Sequence, residues 1–103
     1  MITYSVTINV KKEIEDSWLK WMKEVHIKDV IKTGFFNDWQ IQKLISPEPE
    51  KEESTFVINY ITDSIDKYYK YIEEEAPRLQ KEHTQKFDGK FKASRTVFLS
   101  ISK

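Results

Sequence analysis

Between Ile2 and Val10 every even position is apolar (Ile2, Tyr4, Val6, Ile8, Val10) and every odd one polar (Thr3, Ser5, Thr7, Asn9). Strand side chains point alternately to two faces, so this pattern predicts a strand with one buried and one wet face. Its β-branched residues suit a pleated surface, and its regularity predicts a central place in a sheet. After Lys11-Lys12 the period lengthens. Ile14, Trp18, Trp21 and Val25 recur at helical spacing, with Leu19, Met22 and His26 as an adjacent row, which predicts a helix laid on the sheet. Ile27, Val30 and Ile31 extend it, a break or bend is expected near His26 to Lys28, and Gly34 supplies a left-handed stop.

Phe35 to Ser46 is predicted as a second strand, with Trp39, Ile41, Lys43 and Ile45 on one side. The run Ser46 to Glu53 holds two prolines and four glutamates, which fits neither a ladder nor a core, so it forms a hairpin tip. Strand three follows from Ser54 to Ile61, with Phe56, Ile58 and Tyr60 on one face. A second helix begins at Asp63 or Ser64, where a side chain can cap the first free N–H groups. Ile65, Tyr68, Tyr69, Ile72 and Ala76 mark its expected inner face. Pro77 lacks a backbone donor yet suits a first helical turn, which predicts a kinked pair of helices, the second carrying Leu79, His83 and Phe87 to Asp88-Gly89. The last strand, Phe91 to Ile101, sets Phe91, Ala93, Arg95, Val97, Leu99 and Ile101 on one side.

The order is βαββαβ. Right-handed crossovers then give an α+β ferredoxin-like sandwich: a four-stranded antiparallel sheet with the helices on one face, the second helix kinked near Pro77. At 103 residues, residues 1–103 make a single domain, and 14% aromatic content supplies a core without staples. There is no cysteine, hence no disulfide and no thiol nucleophile. The N-terminus lacks a basic segment followed by an apolar run, and no stretch approaches the roughly 18 apolar residues of a membrane span. The expected location is cytoplasmic, with no membrane partner. Net charge is zero, which argues against general attraction to nucleic acid. The charge is unevenly spread: residues 48–75 hold nine acidic against three basic side chains, residues 76–103 two against seven. Such halves are either solvated surface or patches that steer self-association.

The elements Tyr4-Ser-Val-Thr7, Trp18-Leu-Lys-Trp-Met22, His26, Thr33-Gly-Phe35, Tyr60, Leu79 to His83, and Phe91 with Arg95 resemble a small bacterial family of ferredoxin-like domains of unknown function. That family in turn resembles the dimeric α/β-barrel superfamily. The resemblance implies a homodimer paired sheet to sheet and a cleft between helices and sheet that takes a small-molecule ligand. It implies no one reaction, because the superfamily includes cofactor-free oxygenases, haem-degrading enzymes and isomerases.

Each candidate residue has two readings. His26, near the end of the first helix, either has a structural or surface role, where an imidazolium favours the negative end of the helix dipole, or is a general base facing a cleft walled by Trp18, Met22 and Tyr60. His83 repeats the choice in the last helical segment. Trp18, Trp21, Met22 and Trp39 either line an aromatic pocket or fill the core. Arg95 interrupts an apolar strand face, so it either pairs with an internal carboxylate, the favoured reading, or reaches an anionic ligand. Two histidines without HxH or HExxH spacing predict no metal site, and nothing in the sequence calls for a cofactor. An RNA-recognition domain shares the element order, but Thr55-Phe-Val-Ile-Asn-Tyr60 is no glycine-aromatic motif, so nucleic acid is not an expected partner. Two functions follow: a homodimeric ligand-binding or interaction domain, and a cofactor-independent small-molecule enzyme of monooxygenase or isomerase type.

Overall fold

The computed structural model describes residues 1–102. β1 (Ile2–Lys11) leads through a short 3-10 turn to α1 (Glu15–Trp21), a π-helical turn Met22–His26 and α2 (Ile27–Lys32). Then come β2 (Asp38–Lys43), β3 (Glu53–Thr62), α3 (Ile65–Glu74), α4 (Ala76–Lys86) and β4 (Phe91–Leu99). The strands form one sheet in the order β2-β3-β1-β4, with every neighbouring pair antiparallel. β1 is thus interior, as its alternation requires, and the ferredoxin-like α+β arrangement predicted from the element order is what the chain adopts.

The register places Val6 between Ile58 and Arg95, and Tyr4 between Tyr60 and Val97. One sheet face therefore carries the even residues of β1, which are buried together with Trp18, Met22, Ile27, Val30, Tyr71 and Leu79 from the helices. Tyr4, Phe36, Tyr60 and Tyr71 form one aromatic cluster, with centroid separations of 4.9–5.9 Å. Trp18 packs on Phe56 at 5.0 Å in another. Offset and edge contacts of this kind add to the burial of ring area. Outside the core, Glu15 ties α1 to the sheet by accepting hydrogen bonds from Ser54 Oγ and from Lys43 Nζ, the latter at 2.8 Å.

Four expectations give way. The first helix does not keep one phase: Ile27 N–H bonds to the Met22 carbonyl five residues back, so the buried row steps from Trp18 and Met22 to Ile27 and Val30. Val25, predicted in that row, is 40% exposed, because the wide turn inserts one extra residue. In α3 the inner face rotates: Tyr71 is 3% exposed while Tyr69 is 60% exposed, since Tyr68, Tyr71 and Ile72 are the residues that meet Tyr4 and the sheet. β2 starts at Asp38, not Phe35. Gly34, at φ +83, turns the chain so that Phe36 enters the core from a loop, and Ile45 beyond the strand is exposed. β4 stops at Leu99, leaving Ile101 exposed. Between α3 and α4, Glu75 leaves helical geometry at φ −120 and Pro77 occupies the first turn of α4, where its missing N–H has no partner to lose. Ser64 caps α3 by accepting from Asp66 N–H at 3.1 Å.

Candidate functional site

Six elements converge on a cavity between the sheet and the helices. Tyr4, Val6 and Ile8 of β1, Ile58 and Tyr60 of β3 and Arg95 of β4 form its floor. Met22 and His26 of the π turn, Tyr71 of α3, and Gln80 and His83 of α4 form its walls. The space open to the centre of a water molecule is about 20 Å³, room for one water. The π turn matters here, because it holds Met22 and His26 on the cavity side while the backbone beyond them keeps Ile27 in the core. Such turns are frequent where a helix must aim a functional side chain.

The two histidines, remote in sequence, meet with ring centroids 5.3 Å apart. Trp21 lies against both, and Phe91 stacks on His83 at 3.8 Å with the planes 4° apart. Trp18 Nε1 donates to His83 Nε2 at 2.9 Å. An imidazole nitrogen that accepts cannot also carry a proton, so His83 is the neutral tautomer with its proton on Nδ1. His26 differs: its Nδ1 is buried and has no hydrogen-bond partner among the described residues.

Burial lowers the His26 pKa to about 4, with Arg95 lowering it further and Asp29 opposing. Burial likewise lowers His83 to about 3, with His26 and Arg95 adding to the effect. Both rings are neutral at physiological pH. Burial raises the hydroxyl pKa of Tyr4, against the Arg95 guanidinium and the Gln80 amide beside it, and it raises those of Tyr60 and Tyr71. These hydroxyls therefore keep their protons and serve as donors. Arg95 stands on an edge strand, largely exposed, with its head at the cavity. Its favoured internal carboxylate partner is not there: among the described residues none lies in ion-pairing distance of it, and no Asp or Glu lines the cavity. The site combines one fixed cation, several neutral donors and one unpartnered imidazole nitrogen. Among the described residues no group of three His, Cys, Asp or Glu side chains could hold a metal ion.

Of the residues singled out from sequence, His26, Met22, Tyr60, His83 and Arg95 come together at the cavity. Trp18 does not line it. The indole is fully buried behind His83 and touches the site only through the hydrogen bond described. Trp39 lies away from it on β2, 38% exposed. Tyr4, Tyr71 and Gln80 had been passed over. Tyr4 carried a readable signal, since a hydroxyl on the buried face of a strand needs a partner. Gln80 shares a helix face with His83, three residues on, and was the only amide there.

The sheet face opposite the helices is uncovered. Its rows, read across the register, are Phe98–Thr3–Ile61–Asp38, Thr96–Ser5–Asn59–Gln40, Ser94–Thr7–Val57–Gln42 and Lys92–Asn9–Thr55. In a chain whose residues are 33% charged, only Asp38 and Lys92, at opposite corners, are charged in these four rows, and the ion-paired Lys11 and Glu53 continue the face at one end. Phe98 stands 57% exposed on this face.

Solved structures share this architecture. A dimeric ferredoxin-like protein from an uncultured marine organism superposes with a TM-score of 0.73 at 17% identity, over 100% of this chain and 97% of its own. An EthD family protein from Bacillus halodurans gives 0.68 at 14% identity, over 98% and 100%. SnoaB, a cofactor-independent oxygenase from Streptomyces nogalater, gives 0.62 at 12% identity, over 99% and 95%. At such identities the likeness is one of fold. Among curated proteins none matches the sequence. The profile of one family spans residues 1–101, and the chain accordingly belongs to that family, the domain of unknown function DUF4286.

Proposed function

We propose that this chain is a homodimeric small-ligand-binding domain of the dimeric α/β-barrel type, folded as one domain over residues 1–103. Each copy holds its ligand in the cavity between helices and sheet. The observation that carries the reading is the His26 Nδ1 atom, buried without a partner in the wall of a cavity that Arg95 also lines. A buried polar atom left unpaired costs about 1–3 kcal/mol, a cost that a hydrogen bond to a ligand removes. Pairing of two copies through the open sheet face is supported by the absence of charge from its two central rows, since interface centres are depleted of charged residues. The dimeric ferredoxin-like protein of similar fold supports a homodimer as such. We place the protein in the cytoplasm of a bacterial cell, which its cysteine-free sequence fits, and assign it no nucleic-acid or membrane partner.

A panel of small polar compounds, screened by thermal shift, tests the binding reading. A ligand at about 100 times its Kd adds about 2.7 kcal/mol, visible as a rise of about 10 °C or more in a domain of this size. Compounds that stabilise the wild type and fail on Arg95→Met support the reading. A panel that leaves the wild type unmoved sinks it.

A second reading, a cofactor-independent small-molecule enzyme of monooxygenase or isomerase type, is favoured by one arrangement. His26 is a neutral imidazole, able to take a proton, beside Arg95, able to stabilise the anion so formed. The likeness in fold to a cofactor-independent oxygenase is compatible with it. Conversion, rather than mere binding, of a compound found in the panel, abolished in His26→Asn, is its test.

A further inference from the structure

We propose that the cavity seats a small carboxylic acid, bound as its carboxylate between the Arg95 guanidinium and a proton on His26 Nδ1. The inference rests on the ligand-binding reading and names the class of ligand. The argument begins with Arg95. Its planar fork of N–H donors matches the two oxygens of a carboxylate, and this chain has 17 acidic side chains with which to satisfy it. None of those described is in ion-pairing distance, although Lys11, Lys43, Lys67, Arg78 and Lys90 all have such partners. The guanidinium instead stands by the Tyr4 hydroxyl at the cavity mouth.

The remaining polar groups fit the same ligand. Tyr4, Tyr60 and Tyr71 keep their hydroxyl protons, and Gln80 adds an amide donor. His26 Nδ1 is the unpartnered atom, and a carboxylate oxygen, which only accepts, bonds to it when Nδ1 carries the proton, as the Nδ1–H tautomer or as the imidazolium. The two can bond only with a proton between them. Without an anion, a buried imidazolium beside Arg95 is disfavoured; with a carboxylate in place the charges alternate and the proton is retained. The groups that bear on that proton are Asp29 from α2, which favours it, Arg95 from β4, which opposes it, and the neutral His83 from α4. A phosphate dianion fits less well, because one fixed cation faces it and the space is about 20 Å³. The carboxylate enters as the exposed Arg95 arm yields, and the rest of the ligand extends past that arm toward solvent.

Acetate, with acetamide as its neutral isostere and sodium chloride as the ionic-strength blank, tests this on the full chain. The Cε1 protons of the two histidines are followed by proton NMR against pH, with His26→Asn assigning them. Saturating acetate is expected to raise the His26 midpoint by about one unit or more, the effect of an opposite charge in contact. Acetamide and chloride are expected to leave it in place, and Arg95→Met is expected to remove the acetate effect while the circular dichroism spectrum is unchanged. An unmoved His26 midpoint in acetate overturns the proposal, as does a shift that acetamide reproduces or that survives undiminished in Arg95→Met. If neutral compounds from the panel stabilise the protein while acetate leaves His26 unmoved, the carboxylate assignment fails and the binding reading stands. If acetate and the panel both fail, both fall.

Discussion

Trp18 Nε1 donates to His83 Nε2 at 2.9 Å, and this bond decides which nitrogen of His83 holds its proton. The donor comes from α1 and the acceptor from α4, so one hydrogen bond also joins the first and last helices of the layer that covers the sheet. In Trp18→Phe the tilted ring contact with Phe56 is largely kept, whereas the Nε2 acceptor is left buried without its donor. A loss of about 1–3 kcal/mol in urea unfolding is expected. The proton of His83 is then free to move to Nε2, which nitrogen-15 NMR of the imidazole reads directly. A variant as stable as the wild type, with the Nδ1–H tautomer kept, would show that the bond fixes neither.

The histidines also predict a pH dependence. Their folded pKa values, about 4 for His26 and about 3 for His83, lie below the ordinary value of 6.5. The unfolded chain therefore binds protons that the folded chain refuses as pH falls below 6.5. Stability is fully present above that pH and is lost as pH drops toward the folded values, about 2 kcal/mol per ring between pH 7 and pH 5. Glu13 and Glu15, held below 4.5 by hydrogen bonds from Lys90 and Lys43, lose their contribution only at lower pH, so the range from 6.5 to 5 isolates the rings. Urea midpoints should fall across that range, and His26→Gln should roughly halve the fall. A flat profile would mean that both rings are solvated.

Arg95→Met separates a structural arginine from one held for a ligand. With no carboxylate partner among the described residues and with an exposed side chain, its loss is expected to change stability by no more than about 0.5 kcal/mol. Because the guanidinium lowers both histidines, their midpoints should rise in the variant. A large fall in melting temperature with unmoved histidines would return Arg95 to the internal pairing expected from the strand pattern.

That expectation shows where sequence is readable and where it is not. The alternation of β1 settles its faces because strand parity leaves no third choice, and the order of elements then fixes the sheet. Helix faces are softer. Tyr68, Tyr69, Tyr71 and Ile72 admit more than one inner row, and only the position of Tyr4 across the sheet selects Tyr71 over Tyr69. The π turn adds an uncertainty of one residue that composition does not announce, which is why Val25 was expected inside along with Ile27. His26, His83 and Arg95 were each visible as anomalies within their own elements. Their meeting was not, since it depends on the angle at which the helices cross the sheet, as does the inclusion of Gln80.

The open sheet face gives the last test. Val57 lies in its third row between Thr7 and Gln42, half-buried, with its side chain away from the core. A two-fold axis through this face would bring the same patch of both copies together, so Val57→Lys sets like charges against each other in a drying interface. In a lone copy the lysine reaches solvent from the uncovered face and costs little. Light scattering should therefore show a dimer for the wild type and a monomer for Val57→Lys, with the circular dichroism spectrum and the low histidine midpoints retained. Dimers that persist in the variant would move the interface off this face. A wild type that is monomeric at micromolar concentration would remove the dimer and leave the cavity of each copy to act alone.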